Sequence, residues 1–330
     1  MKRSLLLFIL LFVFGPLLWA AEHPVPRVVV SIKPLHSLVM GVMAGAGEPQ
    51  LLVEGAGSPH GYVMRPSEAR MLAEADLVIW VGESLESFME RPLATLGRSA
   101  VQLELATRLA DRMLPIREGG TWERHDADHE AHGHTTNQDH HAQEDTGHAH
   151  QEHDRSSLSA LDPHIWTGPL MAQRIVSLVA EALAQVDPSR QRLYRDNAAT
   201  LISELDQLYR EISQQLAPVR DIPYIVFHDA YQYFETDFGL NAIGSVMLEP
   251  ERTPGVRRVM EVRDKIVALQ AQAVFSEPQF ESRLVATIIE GSTAKAGVLD
   301  PLGVDLPAGR QTYFTLIRRL AENLCATLQQ

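Results

Sequence analysis

The chain has 330 residues, enough for two domains of ordinary size, and 45% of them are hydrophobic, a normal share for a globular protein. Its formal net charge of -13 at pH 7 argues against nucleic acid or anionic lipid as a partner and suits a protein that attracts cations. Cys325 is the only cysteine, so no disulfide forms within the chain.

The first 21 residues are predicted to form a secretory signal peptide. Two basic residues, Lys2 and Arg3, precede an apolar run over 5–18, and the small residues Ala20 and Ala21 suit cleavage. The run is short for a membrane span and contains a Gly-Pro pair, so we favour cleavage over an uncleaved membrane anchor. We therefore expect an exported, soluble mature chain.

Strands and helices alternate along most of the mature chain, which is typical of parallel sheets covered by helices. The first series has predicted strands at 27–32, 50–53, 77–81 and 101–103 and helices at 33–42, 66–75 and 86–96. The second series has predicted strands at 224–227, 241–245, 273–275 and 297–299 and helices at 231–238, 255–270, 280–290 and 312–328.

Two helical patterns, at 168–186 and 189–216, separate the two series. The second would span ~40 Å at 1.5 Å per residue, enough to brace two lobes. We predict an α/β protein with two Rossmann-like (β/α)4 lobes joined by one long rigid helix. The predicted organisation is a signal peptide at 1–21, an N-terminal lobe at 22–186, a connecting helix at 187–218 and a C-terminal lobe at 219–330.

The segment 111–160 of the N-terminal lobe lacks any strand or helix pattern. It contains nine of the 14 histidines, mixed with aspartate and glutamate, and has little to bury in a core. We predict a disordered arm that binds cations weakly. Its auxiliary metal ligands would be His125, His129, His132, His134, His140, His141, His148, His150 and His153.

Four residues outside the arm are candidate metal ligands. His228 and Asp300 follow predicted strands, and His60 and His164 lie in loops next to predicted helices. In open parallel sheets, ligands bind beyond the carboxyl ends of the strands, where such loops converge. The long spacings exclude a local zinc finger, so only the folded lobes could bring these groups together. Three imidazoles with a carboxylate or water suit tetrahedral Zn²⁺ at ~2.0–2.1 Å.

Position alone leaves other roles open for these residues. A lone histidine at a loop is more often a cap or a surface residue than a ligand, and Asp300 before Pro301 is a common turn start. For His23, near the mature terminus, and His36, among apolar helix residues, we favour a structural role.

Six short motifs distinguish between these alternatives. They occupy positions 58–67, 75–82, 162–166, 227–231, 276–280 and 299–303. In this order they resemble the periplasmic zinc-binding proteins of ABC importers, the ZnuA type within the cluster A-I substrate-binding proteins. The resemblance covers essentially the whole mature chain, including the acidic, histidine-rich insertion before the second ligand.

The resemblance implies one zinc ion between two lobes, held by His60, His164 and His228. Manganese-type relatives carry a carboxylate where His228 stands, and a third imidazole suits zinc better. Asp300 matches the position that supplies a fourth ligand in several relatives. Some members have a glutamate directly before the first histidine, but here that residue is Pro59, so Asp300 or water is expected as the fourth ligand.

The resemblance also implies a function and its partners. A monomeric periplasmic receptor would capture Zn²⁺ and deliver it to an inner-membrane ABC permease with its ATPase, with a periplasmic zinc chaperone as a further partner. The arm would collect zinc near the cleft. Because binding needs neutral imidazoles, affinity is expected to fall as the pH drops through ~6.5.

Three alternatives remain at this point. One is a receptor of the same family for manganese or another divalent metal. Another is a zinc hydrolase, since three histidines and a water also form a catalytic layout, but no H-E-x-x-H pattern occurs and the chain is not predicted to be an enzyme. The third is a zinc buffer whose main binding segment is the arm.

Overall fold

The computed structural model describes residues 24–55, 57–118, 122, 158–247, 254–280 and 282–329. The predicted signal peptide, His23 and the nine histidines of the arm lie outside these ranges. Within them, no helix is both long and apolar enough to cross a membrane.

The N-terminal half contains a parallel sheet of four strands in the order β2-β1-β3-β4. Its central strands are fully buried runs of apolar residues, as expected where helices cover both faces. The strands are β1 (Val28–Val30), β2 (Gln50–Leu51), β3 (Leu77–Trp80) and β4 (Val101–Glu104), and the helices are α1 (Lys33–Val42), α2 (Pro66–Glu74), α3 (Glu90–Thr95) and α4 (Leu105–Leu109).

The C-terminal half repeats this arrangement. Its four parallel strands have the order β6-β5-β7-β8, the same relative order as in the first sheet. The strands are β5 (Tyr224–Val226), β6 (Ala242–Ser245), β7 (Ala273–Ser276) and β8 (Lys295–Val298), and their helices are α7 (Gln232–Phe238), α8 (Val256–Ala268), α9 (Ser282–Ile289) and α10 (Thr312–Leu328).

Two helices separate the sheets, α5 (Pro169–Val186) and the 26-residue α6 (Gln191–Leu216). Short 3-10 turns at Pro188–Arg190 and Ala217–Val219 extend α6 at both ends. Its buried stripe packs against α1 and α5 on one side and α10 on the other, so the helix braces both halves. The prediction of two parallel α/β lobes joined by a long helix is confirmed.

Several element bounds differ from the sequence predictions by one to three residues, and two of the differences have a local explanation. The predicted helix at 86–96 is a 3-10 turn followed by the short α3, because Pro92 is tolerated only in the first turn of a helix. Strand β2 ends at Leu51, although the amides of Leu52 and Val53 still donate to Val30 and Ser31 in β1 and beyond.

Polar contacts join the two halves above their shared apolar core. The ammonium group of Lys33 in α1 donates to three backbone carbonyl oxygens of the C-terminal half, those of Gly303 at 2.8 Å, Val304 at 2.9 Å and Leu306 at 2.9 Å. The indole of Trp166 donates to the carbonyl oxygen of Pro301 at 2.7 Å. These bonds fix the C-terminal loop around 300–306 against the N-terminal half.

Candidate metal centre

Three histidines that are far apart in sequence meet between the two halves. His60 lies in the loop between β2 and α2, and His164 precedes a 3-10 turn at Ile165–Thr167. His228 lies just beyond the carboxyl end of β5, where the first residues after a parallel strand line the ligand edge of a sheet. The N-terminal half therefore supplies two of the imidazoles and the C-terminal half supplies one.

The three imidazoles are close enough to share one metal ion. One nitrogen from each ring lies within 4.8 Å of the other two. The ring centroids are 5.3 Å apart for His60 and His164, 5.2 Å for His164 and His228, and 6.1 Å for His60 and His228. The Nε2 atoms of His60 and His164 are 3.2 Å apart. Among the histidine, cysteine, aspartate and glutamate side chains of the described residues, these three histidines form the group that is spaced closely enough to hold a metal ion.

Two carboxylates orient two of the imidazoles. Asp162 Oδ1 lies 2.7 Å from Nδ1 of His164, and Glu277 Oε1 lies 2.6 Å from Nδ1 of His228. An ionised carboxylate only accepts hydrogen bonds, so beside the ionised form of each acid the Nδ1 atom carries the proton and donates it. Burial raises the pKa of Asp162 to about 7. In the neutral form of each ring, Nε2 is then the lone-pair donor, and the hydrogen bond raises its basicity toward a metal.

Sequence reasoning missed these orienting roles, although it quoted both motifs. Glu277 directly follows β7, which pairs with β5, so its position beside His228 could have been read from the sheet edge. Asp162 stands two residues before His164 and also accepts that residue's backbone N–H at 3.0 Å. An Asp-Pro-His sequence is common enough in turns that spacing alone does not identify an orienting carboxylate.

The protonation of the imidazoles follows from burial and from these neighbours. Burial, and then the other two imidazoles, hold the pKa of His60 well below 6.5, and burial followed by His228 does the same for His164. For His228, burial lowers the pKa, but the charge and hydrogen bond of Glu277 outweigh it and raise the pKa above 6.5. Two imidazoles are therefore neutral at pH 7, and the proton of His228 is the one that competes with a metal.

Asp300, the candidate fourth ligand, lies outside this group of three. Its Oδ1 accepts hydrogen bonds from the backbone amides of Leu302 and Gly303, each at 3.0 Å, and its Oδ2 accepts one from Val304 at 2.6 Å. The side-chain amide of Gln279 donates to the same Oδ1 at 3.0 Å. Both oxygens are thus engaged in holding the turn after β8, as in the structural role weighed for this residue.

His36, expected to be structural, lies far from this site in helix α1. It is 6% exposed, and its Nε2 lies 3.0 Å from the carbonyl oxygen of Pro49. Burial is the main reason that its pKa lies below 6.5. A buried, neutral histidine bonded to the backbone packs the helix against the chain before β2.

A largely buried ion-pair cluster includes Asp229, the residue after His228. Arg117 donates to both carboxylate oxygens of Asp229, one bond measuring 2.9 Å, and its other terminal nitrogen lies 2.7 Å from Glu235. Its guanidinium also stacks over the ring of Trp122 at 3.7 Å. Arg117 belongs to the N-terminal half, while Asp229 follows His228 in the C-terminal half, so this cluster joins the halves beside the site.

The chain segments that enter and leave the predicted arm pair with each other near Arg117. Pro115 pairs with Leu161 in an antiparallel bridge, and the amide of Asp162 donates to the carbonyl oxygen of Leu114 at 2.8 Å. The hydroxyl of Tyr233 in α7 donates to the carbonyl oxygen of Asp162 at 2.8 Å. This pairing fixes the segment that leads into His164.

The protein has two parallel α/β lobes with a long helix between them. Where the lobes meet, three histidines form a cluster that could hold a metal ion. These features are those of a bilobal metal-binding protein. The sequence model described as the periplasmic zinc-uptake complex component A, ZnuA, matches residues 28–326. The chain therefore belongs to the ZnuA family.

Comparison with individual relatives agrees with this assignment. The high-affinity zinc uptake system protein ZnuA of Brucella abortus (strain 2308) is 44% identical over 305 residues, which cover 90% of each chain. The protein of the same name from Paracoccus denitrificans is 34% identical over 309 residues, 93% of each chain. Among solved structures, a crystal structure of ZnuA superposes with a TM-score of 0.72 at 23% identity, over 92% of this chain and 99% of that one.

Proposed function

We propose that this protein is a periplasmic receptor that captures Zn²⁺ on His60, His164 and His228 and delivers it to the permease and ATPase of an ABC importer. The observation that supports this most directly is the convergence of three imidazoles from both lobes, with ligand atoms within 4.8 Å of one another. Those of His164 and His228 are buried, and that of His60 is half-buried. Neutral nitrogen ligands in a tetrahedral arrangement favour zinc over the harder oxygen-seeking cations. The relatives that share most of the chain are named for high-affinity zinc uptake.

The proposal includes the state and the location of the receptor. It is exported by cleavage of the predicted signal peptide at 1–21, acts as a monomer, and receives zinc directly or from a periplasmic zinc chaperone. It binds the metal without catalysis, because the two carboxylates nearest the histidines, Asp162 and Glu277, accept hydrogen bonds from Nδ1 atoms. A hydrolase would need such a carboxylate as a base for the metal-bound water.

Metal titration tests the proposed cargo. Metal-free protein is expected to bind one equivalent of Zn²⁺ tightly and to bind Mn²⁺ at least ~100-fold more weakly, because three imidazoles favour zinc in both ligand type and geometry. Competition between the two metals, followed by metal analysis of the separated protein, measures this preference. Equal occupancy by manganese at equal free concentrations would favour the manganese receptor instead.

We further propose that the arm at 111–160 collects zinc for the buried site. The stem of this segment runs beside Asp162 and His164, so bound cations would be held at high effective concentration near the cleft. Single imidazoles and carboxylates bind zinc more weakly than a preformed set of three imidazoles and release it more readily, which suits a collector rather than a final site.

Deletion of residues 123–155 separates the two kinds of binding. The shortened protein is expected to keep one tight zinc equivalent and to lose the additional weak ones, because no ligand of the buried site lies in the deleted segment. Calorimetric titration with zinc counts both classes. A full-length variant with the nine arm histidines changed to asparagine is the control, since it keeps the length and removes the imidazoles. Loss of the tight equivalent in either protein would contradict the division between collector and site.

A further inference from the structure

Three imidazole nitrogens leave a tetrahedral zinc ion one ligand short. The side chain before His60 is that of Pro59, which has no ligand atom. Asp300 holds four hydrogen bonds through its two oxygens, three of them from backbone amides of its own turn, and turning it toward the histidines would break them. The fourth coordination position of the zinc ion therefore has to be filled by another ligand.

Gln279 is a polar side chain placed to support a ligand at this position. It lies two residues beyond Glu277 and lines the same small cavity as the three histidines. Its side-chain nitrogen donates to Asp300 Oδ1 at 3.0 Å. Because an ionised carboxylate only accepts, this bond fixes which end of the amide is nitrogen, and the carbonyl oxygen Oε1 is left for a different partner.

The oxygen of that amide is buried and accepts no hydrogen bond from the described protein groups. Buried acceptors without a donor are rare in folded proteins, and each needs an explanation such as a water or an ion. The cavity shared with the histidines has a volume of about 10 Å³, the size of a single water or ion. A water bound to zinc is a strong donor, and one of its O–H groups would satisfy Oε1 of Gln279.

We propose that Gln279 serves the fourth coordination position of the zinc site by accepting a hydrogen bond from the metal-bound water, and that Asp300 is a positioning residue that acts through Gln279. This inference rests on the proposed binding of zinc by the three histidines. This role for Asp300 is compatible with its hydrogen bonds. Its carboxylate accepts bonds from the backbone amides of residues 302–304 and from the side-chain amide of Gln279.

Substitution of Gln279 by leucine tests the first part. The Gln279→Leu protein is expected to bind its tight zinc equivalent ~10–100-fold more weakly than wild type, the usual cost of losing a group that supports a metal ligand. Affinity is measured by competition with a chelator. The visible absorption bands of the Co²⁺-loaded protein are expected to shift while remaining those of a tetrahedral site, a change that a purely structural role for Gln279 would not produce.

Gln272→Leu is the matched control, because Gln272 stands just before β7, at the opposite end of the strand from the site, and is exposed. Its zinc affinity and cobalt spectrum are expected to equal those of wild type. Circular dichroism of the metal-free variants confirms that each is folded. Wild-type affinity together with a wild-type cobalt spectrum in Gln279→Leu would overturn the inference.

A double-mutant cycle tests the second part. Asp300→Asn alone is expected to weaken zinc binding ~10-fold, but less than ~3-fold when Gln279 is already leucine, because both changes act on one interaction. If Asp300 bound the metal itself, its substitution would cost as much in either background. If the wild-type protein binds no zinc equivalent tightly, the proposed receptor function is contradicted. If it binds zinc tightly but the affinity does not change when Gln279 is replaced, only this inference is contradicted.

Discussion

Replacement of His228 by alanine is expected to weaken the tight zinc equivalent by about 10²–10³-fold. A structural zinc site with four ligands contributes ~10–16 kcal/mol, or ~2.5–4 kcal/mol for each ligand, and 1.4 kcal/mol corresponds to tenfold in affinity. His228 is the proposed ligand from the C-terminal lobe, so its loss would also remove the contact through which a bound metal would join the two lobes. Competition with a chelator measures the change.

The control for this substitution is His36→Gln. His36 is as buried as His228, each 6% exposed, but it contacts the carbonyl oxygen of Pro49 and has no place in the cluster. Glutamine can keep a donor toward that oxygen, and zinc affinity is expected to remain that of wild type. If His228→Ala bound the first zinc equivalent as tightly as His36→Gln, the three-histidine site would be wrong.

The position of His228 relative to a predicted strand made this part of the site predictable from the sequence. His228 follows an uninterrupted buried strand, and in a parallel sheet the residue after such a strand must lie at the ligand edge. His60 and His164 lie in loops, and their spacing of 104 residues says nothing about distance in space. The 3.2 Å between their Nε2 atoms depends on how two loops of the N-terminal lobe pack against each other, which motif resemblance indicated and periodicity alone did not.

The role of Asp300 illustrates what local sequence leaves undecided. A carboxylate that follows a strand and precedes proline suits a metal ligand and a turn cap equally well. Which role it takes depends on whether the turn offers backbone amides to its oxygens, and here three of them do. The same limit applies to Arg117, whose partner Asp229 is 112 residues away and on the other lobe.

Replacement of Arg117 by alanine is expected to lower the free energy of unfolding of the metal-free protein by ~3–5 kcal/mol, the range measured when one partner of a buried ion pair is removed. The loss leaves two carboxylates together without their cation. Glu235 is the costlier of the two, since its side chain is 4% exposed and that of Asp229 is 20% exposed. Urea unfolding followed by circular dichroism measures the change.

The control substitution is Arg318→Ala. Arg318 also makes two bonds to one carboxylate, that of Glu211, each 2.8 Å long, but the two side chains are 40% and 45% exposed. Pairs in contact with solvent contribute about 0–1 kcal/mol. The control therefore matches the two-bond pair with one carboxylate, whereas Arg117 is less exposed and also contacts Glu235 and Trp122. Equal losses for the two substitutions would show that burial of the Arg117 cluster does not determine its contribution.

The penalty for removing Arg117 is also expected to depend on pH. Burial raises the pKa of Glu235 to about 7 even though the charge of Arg117 opposes the shift, so without Arg117 the pKa rises further. In the unfolded chain the pKa of this carboxyl is ~4.3. At pH values between ~4.3 and the raised pKa, the folded variant therefore holds a proton that the unfolded chain lacks. Lowering the pH from 8 to 6 should therefore reduce the difference between Arg117→Ala and wild type, because Glu235 becomes neutral. A difference that stays constant over this range would mean that the uncompensated charge of Glu235 is not the source of the instability.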